Sequence, residues 1–236
     1  MSKTTAENLH IAMIMDGNRR FAKRLRKEPW NGHRYGARKL EEVLKWCKEQ
    51  GVRTLTVFSF SLQNLDRPKE EFDFLMDLFR ESFDKIKRKG SKIQKHDIRI
   101  NILGRTGIFP DDIQRSLAEV KERTRDNDSF TLNLCFGYGG REEIVDATRA
   151  LAQDVKEGKI DAKDIDEDLL DSYMYSSDKP DLIIRTGGEH RTSNFLPWQS
   201  AYSEWFFVDT MWPEFSKEEF IAILDQYKNR DRRFGK

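Results

Sequence analysis

Six short apolar runs alternate with longer amphipathic segments along the chain, and this alternation limits the fold more than any other feature of the sequence. The apolar runs are predicted as strands: His10–Met15, Thr54–Ser61, Ile98–Leu103, Phe130–Phe136, Leu182–Arg185 and Glu204–Val208. The longer segments are predicted as helices: Ala37–Gln50, Lys69–Arg88, Asp111–Arg125, Glu142–Lys156, Asp166–Ser172, and one that Ser216 caps and that ends near Lys228. Strands joined by crossover helices form mainly parallel sheets with helices on both faces. We therefore expect a single α/β domain over residues 1–236.

The charge of the chain is nearly balanced, which bounds its partners. The 236 residues include 42 Lys and Arg against 41 Asp and Glu, and the basic residues are interleaved with acidic ones. This distribution argues against a nucleic acid partner. There is no run of about 18 apolar residues, so no membrane-spanning helix is expected. The first ten residues lack the apolar stretch of a signal peptide, and the two cysteines have neither disulfide nor metal-clip spacing, so a cytoplasmic location is expected.

The segment that follows the fifth predicted strand has the composition of a phosphate site. Arg185 ends the strand, a Thr-Gly-Gly turn follows, and Arg191, Thr192 and Ser193 come next. Arginine offers forked, permanently charged donors, and glycine lets backbone N–H groups approach an anion closely. Glu204, farther along, could hold the cation that accompanies a diphosphate. The segment predicts a diphosphate site.

A second polar segment follows the first predicted strand. Asp16 comes after the apolar run, Gly17 and Asn18 turn the chain, and Arg19 and Arg20 can begin a helix. Ligands of open parallel sheets bind outside the carboxyl ends of the strands. A carboxylate, free N–H groups and arginines at such an edge suit a Mg²⁺-diphosphate complex. An ordinary turn is the competing interpretation of Asp-Gly-Asn.

Other patterns keep a structural interpretation beside a functional one. Gly137–Gly140, after the fourth strand, hints at a nucleotide site but lacks the G-x-G-x-x-G spacing, so tight packing is the alternative. His33 and His190 lack the spacing of a zinc site. The apolar positions of Lys69–Arg88 have helical spacing that is typical of a core-facing helix. With 16 Phe in the chain, such a face could also line an apolar tunnel.

Three motifs taken together resemble the cis-prenyltransferase family, whose best-known members are undecaprenyl diphosphate synthases. They are HIAMIMDGNRRFA (10–22) with His33, FSFSLQNLDRP (58–68), and RTGGEHRTSNFLPWQSAYSEWFF (185–207). The resemblance extends over essentially the whole chain and ends with Arg233-Phe234-Gly235. It implies a six-stranded parallel sheet flanked by helices, an apolar tunnel for the growing product, and a homodimer.

The resemblance also implies a role for individual residues. Asp16 corresponds to the family's essential aspartate, which helps place Mg²⁺ and the diphosphates, and Glu204 to a second metal ligand. The allylic diphosphate site corresponds to Gly17, Asn18, Arg19, Arg20, Phe21 and His33. The motif near the reacting carbons corresponds to Ser61, Asn64, Leu65 and Arg67. The isopentenyl diphosphate site corresponds to Arg185, Arg191, Thr192 and Ser193. The tail Arg233-Phe234-Gly235 corresponds to a segment that reaches across the dimer.

Asn64 occupies the position to which the family's proton acceptor is often assigned. Because an amide is a poor base, we expect Asn64 to position groups rather than to abstract a proton. The sequence also departs from the family pattern near the allylic site. Gln63 and Leu65 replace a glutamate and an aromatic residue, and Pro29 stands where many members have an arginine. These departures leave the allylic substrate open.

The resemblance implies an enzyme that needs Mg²⁺ and joins isopentenyl diphosphate to an allylic prenyl diphosphate of farnesyl or geranylgeranyl type. The product would be a longer Z-polyprenyl diphosphate, which could serve as a lipid carrier of sugars and could bring the protein to a membrane surface. A member that joins the units irregularly, a non-catalytic partner subunit, and an unrelated nucleotide-binding enzyme remain as alternatives.

Overall fold

A computed structural model describes residues 8–230 of the chain. The predicted interaction of Arg233-Phe234-Gly235 across a dimer lies outside these residues. Six strands form one sheet: β1 His10–Ile14, β2 Thr54–Ser61, β3 Ile98–Leu103, β4 Phe130–Tyr138, β5 Leu182–Arg185 and β6 Glu204–Phe207. Their order is β3-β4-β2-β1-β5-β6, and every pairing between neighbours is parallel. The predicted six-stranded parallel sheet is therefore confirmed.

The register of the central strands determines which loops meet. All five residues of β1 are buried, as expected for a strand that is covered on both faces. Ile14 at the end of β1 is paired with Arg185 at the end of β5. Because parallel strands end at the same edge of a sheet, the segments that follow Ile14 and Arg185 leave the sheet side by side.

Eight α-helices surround the sheet within the described residues. They are α1 Asn18–Arg24, α2 Gly32–Glu49, α3 Lys69–Lys87, α4 Lys92–Lys95, α5 Asp111–Arg123, α6 Gly140–Lys156, α7 Glu167–Tyr173 and α8 Lys217–Lys228. The short helix α4 was not predicted from the sequence. Within residues 8–230, no helix combines the length and the apolar character needed to cross a membrane.

Helix α2 begins five residues earlier than the predicted Ala37, and two glycines explain the difference. Gly32 and Gly36 lower the intrinsic tendency of this stretch to be helical. Both glycines face Asn18: a Cβ at Gly32 would lie 1.9 Å from the Asn18 carbonyl oxygen, and one at Gly36 would lie 2.3 Å from its Oδ1. Close packing against the segment that follows β1, rather than propensity, therefore accounts for these residues.

The apolar face of α3 packs into the main core, as its spacing indicated. Phe136 of β4 contacts Phe60, Phe79, Phe83 and Phe109, with ring centroids 4.4–6.1 Å apart. Phe60 and Phe136 are almost completely buried. A smaller cluster, made up of residues such as Ala12, Tyr138 and Phe195, covers the other face of the sheet. The Phe-rich positions thus form a packed core, and the apolar tunnel stays a prediction.

Candidate active site

Asp16 lies just beyond the end of β1 and joins the two polar segments that were singled out in the sequence. Its Oδ2 accepts a hydrogen bond from Nη2 of Arg185 at 2.8 Å. Its Oδ1 accepts one from the Gly17 N–H at 2.6 Å and a longer one from Arg20 at 3.4 Å. Gly17 has a φ of 104°, a conformation that favours glycine. The loops after β1 and β5 therefore converge.

Arg185 links Asp16 to the loop that ends at Ser193. Its side chain is buried, and Nη1 donates to the Arg191 carbonyl oxygen at 2.5 Å and to Oγ of Ser193 at 2.7 Å. Among the described residues, Nε of Arg185 has no hydrogen-bond partner. A buried donor without a partner is costly, and an anionic ligand is one group that could satisfy it. Arg191 contributes its backbone here, while its guanidinium pairs with Glu189.

A cavity of about 330 Å³ opens beside Asp16. It is lined by Met15, Asp16, Gly17, Asn18, Arg19, Arg20, Lys23, His33 and Arg67. Four of these side chains are cationic and one is anionic, so the lining carries a formal charge of +3 with His33 neutral. This positive charge is complementary to the negative charge of a diphosphate. Phe21 is not among the lining residues, and its ring packs edge-on against Tyr35 at 5.2 Å.

Glu71 in the first turn of α3 organises one wall of the cavity, and sequence reasoning missed it. Its carboxylate is 1% exposed and lies 2.5 Å from Arg67, 3.5 Å from His33 and 3.5 Å from Arg19. The contact with His33 and the charges of Arg67 and Arg19 outweigh burial and lower the pKa of Glu71 to about 2. The signal in the sequence is the i, i+4 spacing from Arg67 across Pro68, which places both side chains on one side of a helix start.

Burial is the main reason why the pKa of His33 is lowered from its ordinary value, and the charge of Arg67 acts in the same direction. His33 is therefore neutral near pH 7. Its Nε2 lies 3.1 Å from Nη1 of Arg67, so the ring helps to fix the position of that guanidinium beside the cavity.

The motif after β2 contributes unequally to the cavity. Asn64 accepts a hydrogen bond from the Ser61 N–H at 3.0 Å through its Oδ1, which closes the turn Leu62–Asp66. The positioning role of Asn64 in the reaction stays a prediction. Ser61, Asn64 and Leu65 are absent from the lining residues, whereas Arg67 is among them. Leu65 is 39% exposed. In the loop after β5, the carbonyl oxygen of Thr192 accepts a hydrogen bond from the Phe195 N–H at 3.0 Å, which helps to form the turn.

Glu204, the second metal ligand that the resemblance implies, is not brought to Asp16 within one chain. Glu204 begins β6 and is paired with Leu182 at the start of β5, whereas Asp16 follows Ile14, which is paired with Arg185 at the end of β5. The three steps from Glu204 to Phe207 alone span about 10 Å along the strand direction. The Glu204 carboxylate instead pairs with Arg230 at 2.8 Å. The two carboxylates therefore do not share a cavity within one chain, and the metal role of Glu204 stays a prediction.

The donors around Asp16 fit a magnesium ion that arrives with its ligand. Within residues 8–230 there is no cluster of three or more His, Cys, Asp or Glu that could hold a metal by itself. Mg²⁺ is commonly bound by one or two carboxylates together with phosphate oxygens and water. Asp16 supplies one half-buried carboxylate beside a cationic cavity, and a carboxylate is the protein ligand that such a complex needs.

Comparisons with known proteins agree with this geometry. The family model described as "Putative undecaprenyl diphosphate synthase" matches residues 14–235. A geranylgeranyl-diphosphate-specific tritrans,polycis-undecaprenyl-diphosphate synthase of Thermococcus kodakarensis is 48% identical over 229 residues, which are 96% of this chain and 86% of the relative. An isoprenyl transferase of Thermotoga maritima is 45% identical, with 96% of both chains covered. The crystal structure of lavandulyl diphosphate synthase from Lavandula x intermedia in complex with dimethylallyl diphosphate has a TM-score of 0.89 at 30% identity, covering 98% of this chain and 99% of that one.

Proposed function

Because the chain belongs to the undecaprenyl diphosphate synthase family of cis-prenyltransferases, we propose that it joins isopentenyl diphosphate to geranylgeranyl diphosphate and forms a longer Z-polyprenyl diphosphate. The observation that carries the proposal is the convergence of Asp16, Arg185 and Ser193 beside a cavity whose lining has a charge of +3. Several similar relatives are named as geranylgeranyl-diphosphate specific, which supports this primer over farnesyl diphosphate.

The cavity is the proposed site of the allylic diphosphate. The C–O bond between the allylic carbon and the diphosphate breaks, and the electron pair goes to the diphosphate. The double bond of isopentenyl diphosphate attacks the allylic carbon. Loss of a proton then forms the new alkene. Arg19, Arg20 and Arg67 surround the position where negative charge grows, and donors that are already in place stabilise that charge without reorganisation. The neutral His33 and the buried Glu71 keep Arg67 in its position.

The loop after β5 is the proposed site of isopentenyl diphosphate. Arg185 is fixed by Asp16 on one side and by Ser193 on the other, so its Nε–H, which has no partner among the described residues, has a defined direction. Mg²⁺, held by Asp16 together with diphosphate oxygens, would neutralise part of the charge on the leaving group. The proposal includes a cytoplasmic homodimer. Its lipid product would contact a membrane surface and serve as a carrier of sugars.

Two alternatives predict different products. A non-catalytic subunit would form no product, and the intact arrangement of Asp16 and Arg185 argues against it. An irregular joining of the two prenyl units would give branched products of the same mass as the regular ones.

The test incubates the purified protein with labelled isopentenyl diphosphate and, separately, dimethylallyl, farnesyl and geranylgeranyl diphosphate. We expect the highest kcat/KM with geranylgeranyl diphosphate, unbranched Z-products by chromatography and NMR, and no turnover in excess EDTA. Full turnover in EDTA would contradict the magnesium requirement. An absence of product with every primer would contradict the proposed function as a whole.

A further inference from the structure

The Gly137–Gly140 turn packs beneath the loop that carries Arg191 and Ser193. A Cβ at Gly140 would lie 2.0 Å from Cδ of Pro197, and a Cβ at Gly139 would lie 2.2 Å from Oε2 of Glu142 and 3.0 Å from Nδ2 of Asn194. The glycines thus make room for protein atoms, in line with the packing interpretation of this turn. They bring the first turn of α6 directly against residues 194–197.

Asn194 is held by this helix start through three hydrogen bonds. Its carbonyl oxygen accepts from the Gly140 N–H, and its Oδ1 accepts from the Arg141 N–H, each at 2.8 Å. Its Nδ2 donates to Oε2 of Glu142, also at 2.8 Å. The first N–H groups of a helix have no hydrogen-bond partner within the helix. Asn194 accepts hydrogen bonds from two of them, and Glu142 accepts one from the side-chain amide of Asn194.

The loop needs such support because its backbone is strained. Ser193, Asn194 and Leu196 have φ values of 50°, 63° and 49°. Residues other than glycine pay a cost in this region and stay there when their surroundings over-determine the conformation. Phe195, which is fully buried, adds a stacked contact with Phe58 at 4.8 Å.

A second attachment lies four residues after Phe195. Nε2 of Gln199 donates to Oε1 of Glu143 at 2.9 Å, and the Tyr175 N–H donates to the same oxygen at 2.8 Å. Glu143 is 1% exposed, and burial raises its pKa above the ordinary value. Two adjacent acidic residues in the first turn of α6 therefore hold the loop, Glu142 near Ser193 and Glu143 farther away.

We propose that Glu142 and Asn194 are positioning residues for the diphosphate cradle, defined as Arg185 with residues 191–193. They act by fixing the turn at Ser193. Oγ of Ser193 and the carbonyl oxygen of Arg191 accept hydrogen bonds from Nη1 of Arg185 and so orient the rest of its guanidinium. This inference rests on the proposed function, because it assigns the isopentenyl diphosphate site to the cradle. Small displacements of positioning groups are known to have large kinetic effects.

The test compares the KM of the two substrates in four variants. In Glu142→Ala, we expect the KM for isopentenyl diphosphate to rise about tenfold, the usual effect of one lost charge-assisted hydrogen bond, while the KM for the allylic primer stays within about twofold. Glu142→Gln retains an acceptor for Nδ2 of Asn194 and should recover most of the loss. Asn194→Gly keeps the freedom to adopt positive φ but loses the side-chain hydrogen bonds, so it should behave like Glu142→Ala.

The matched control is Glu119→Ala, which removes an exposed carboxylate of α5 that pairs with Arg123 and Lys87. It should leave both KM values unchanged. A normal KM for isopentenyl diphosphate in Glu142→Ala, or an equal loss in Glu142→Gln, would overturn the inference.

Wild-type turnover is measured first, so that failure of the proposed function is seen separately. If wild-type turnover is absent, calorimetric binding of inorganic pyrophosphate to the same variants gives the comparison: about tenfold weaker binding in Glu142→Ala supports the inference, and unchanged binding overturns it.

Discussion

At the scale of single residues, both carboxylate oxygens of Asp16 make structural hydrogen bonds. Its Oδ2 is a partner of the buried Arg185, and its Oδ1 stabilises the turn at Gly17. In the proposed reaction it also holds Mg²⁺. Any change of this carboxylate therefore alters both the charge beside the cavity and the orientation of Arg185.

We predict that Asp16→Asn lowers kcat by roughly a thousandfold or more, as expected for the loss of a charge that stabilises the transition state. The amide keeps the shape of the side chain, so thermal unfolding should show a folded protein. Turnover is measured at saturating concentrations of both substrates. A variant that retains more than about a tenth of wild-type turnover would refute this role.

Glu71 gives a prediction about pH. Its pKa is about 2 in the folded protein against an ordinary value of 4.5, so the folded state favours the charged form. The stabilisation from Glu71 is therefore fully present above about pH 4.5 and is lost as the pH falls towards 2. The difference in free energy of unfolding between the wild type and Glu71→Gln should be largest near pH 7 and should shrink below pH 4.5.

Urea unfolding between pH 3 and pH 7 measures this difference. Glu81→Gln is the control, because it breaks an exposed ion pair with Arg34 that should contribute no more than about 1 kcal/mol. A difference for Glu71→Gln that stays constant over the whole pH range would show that the carboxylate is not held by its neighbours in the way described.

At the scale of elements, the strand bounds and the starts of α3, α5, α6 and α7 were predicted to within two residues, whereas the start of α2 was not. The bounds of β2, β3 and β5 agree with the prediction, because each is a buried run between clear turn signals. The start of α2 was wrong by five residues, since Gly32 and Gly36 serve contacts with Asn18 that periodicity does not reveal. The end of β4 was placed two residues early for a similar reason: Tyr138 is fully buried, although the sequence suggests a glycine turn there.

The contact between α3 and β4 leads to a prediction of stability. Phe136→Ala should lower the free energy of unfolding by about 3–5 kcal/mol, since it removes a buried ring and leaves a cavity. Phe74→Ala on the half-buried side of α3 should cost clearly less. Both values are obtained from denaturant midpoints with m-values compared. Equal effects of the two substitutions would mean that the ring cluster around Phe136 is not the core of the domain.

At the scale of the whole molecule, one chain brings together Asp16, Arg185 and Ser193 but leaves Glu204 near Arg230, away from Asp16. A role of Glu204 in metal binding would therefore need ligands from elsewhere, and the predicted homodimer offers a second chain. We predict that sedimentation at the protein concentrations used for turnover gives twice the mass of 27.9 kDa. A fully active monomer of 27.9 kDa at those concentrations would contradict the dimer.

The amino-acid sequence by itself determined the six strands, the parallel sheet and the position of the two loops for which diphosphate sites are proposed, because local periodicity and turn residues act over short distances. The tertiary structure decided which side chains meet. Strand register brought Asp16 to Arg185 and kept Glu204 away, helix packing placed Glu71 beside His33, and the start of α6 captured Asn194. These contacts join residues that are far apart in the chain, so their formation depends on the geometry of the assembled sheet.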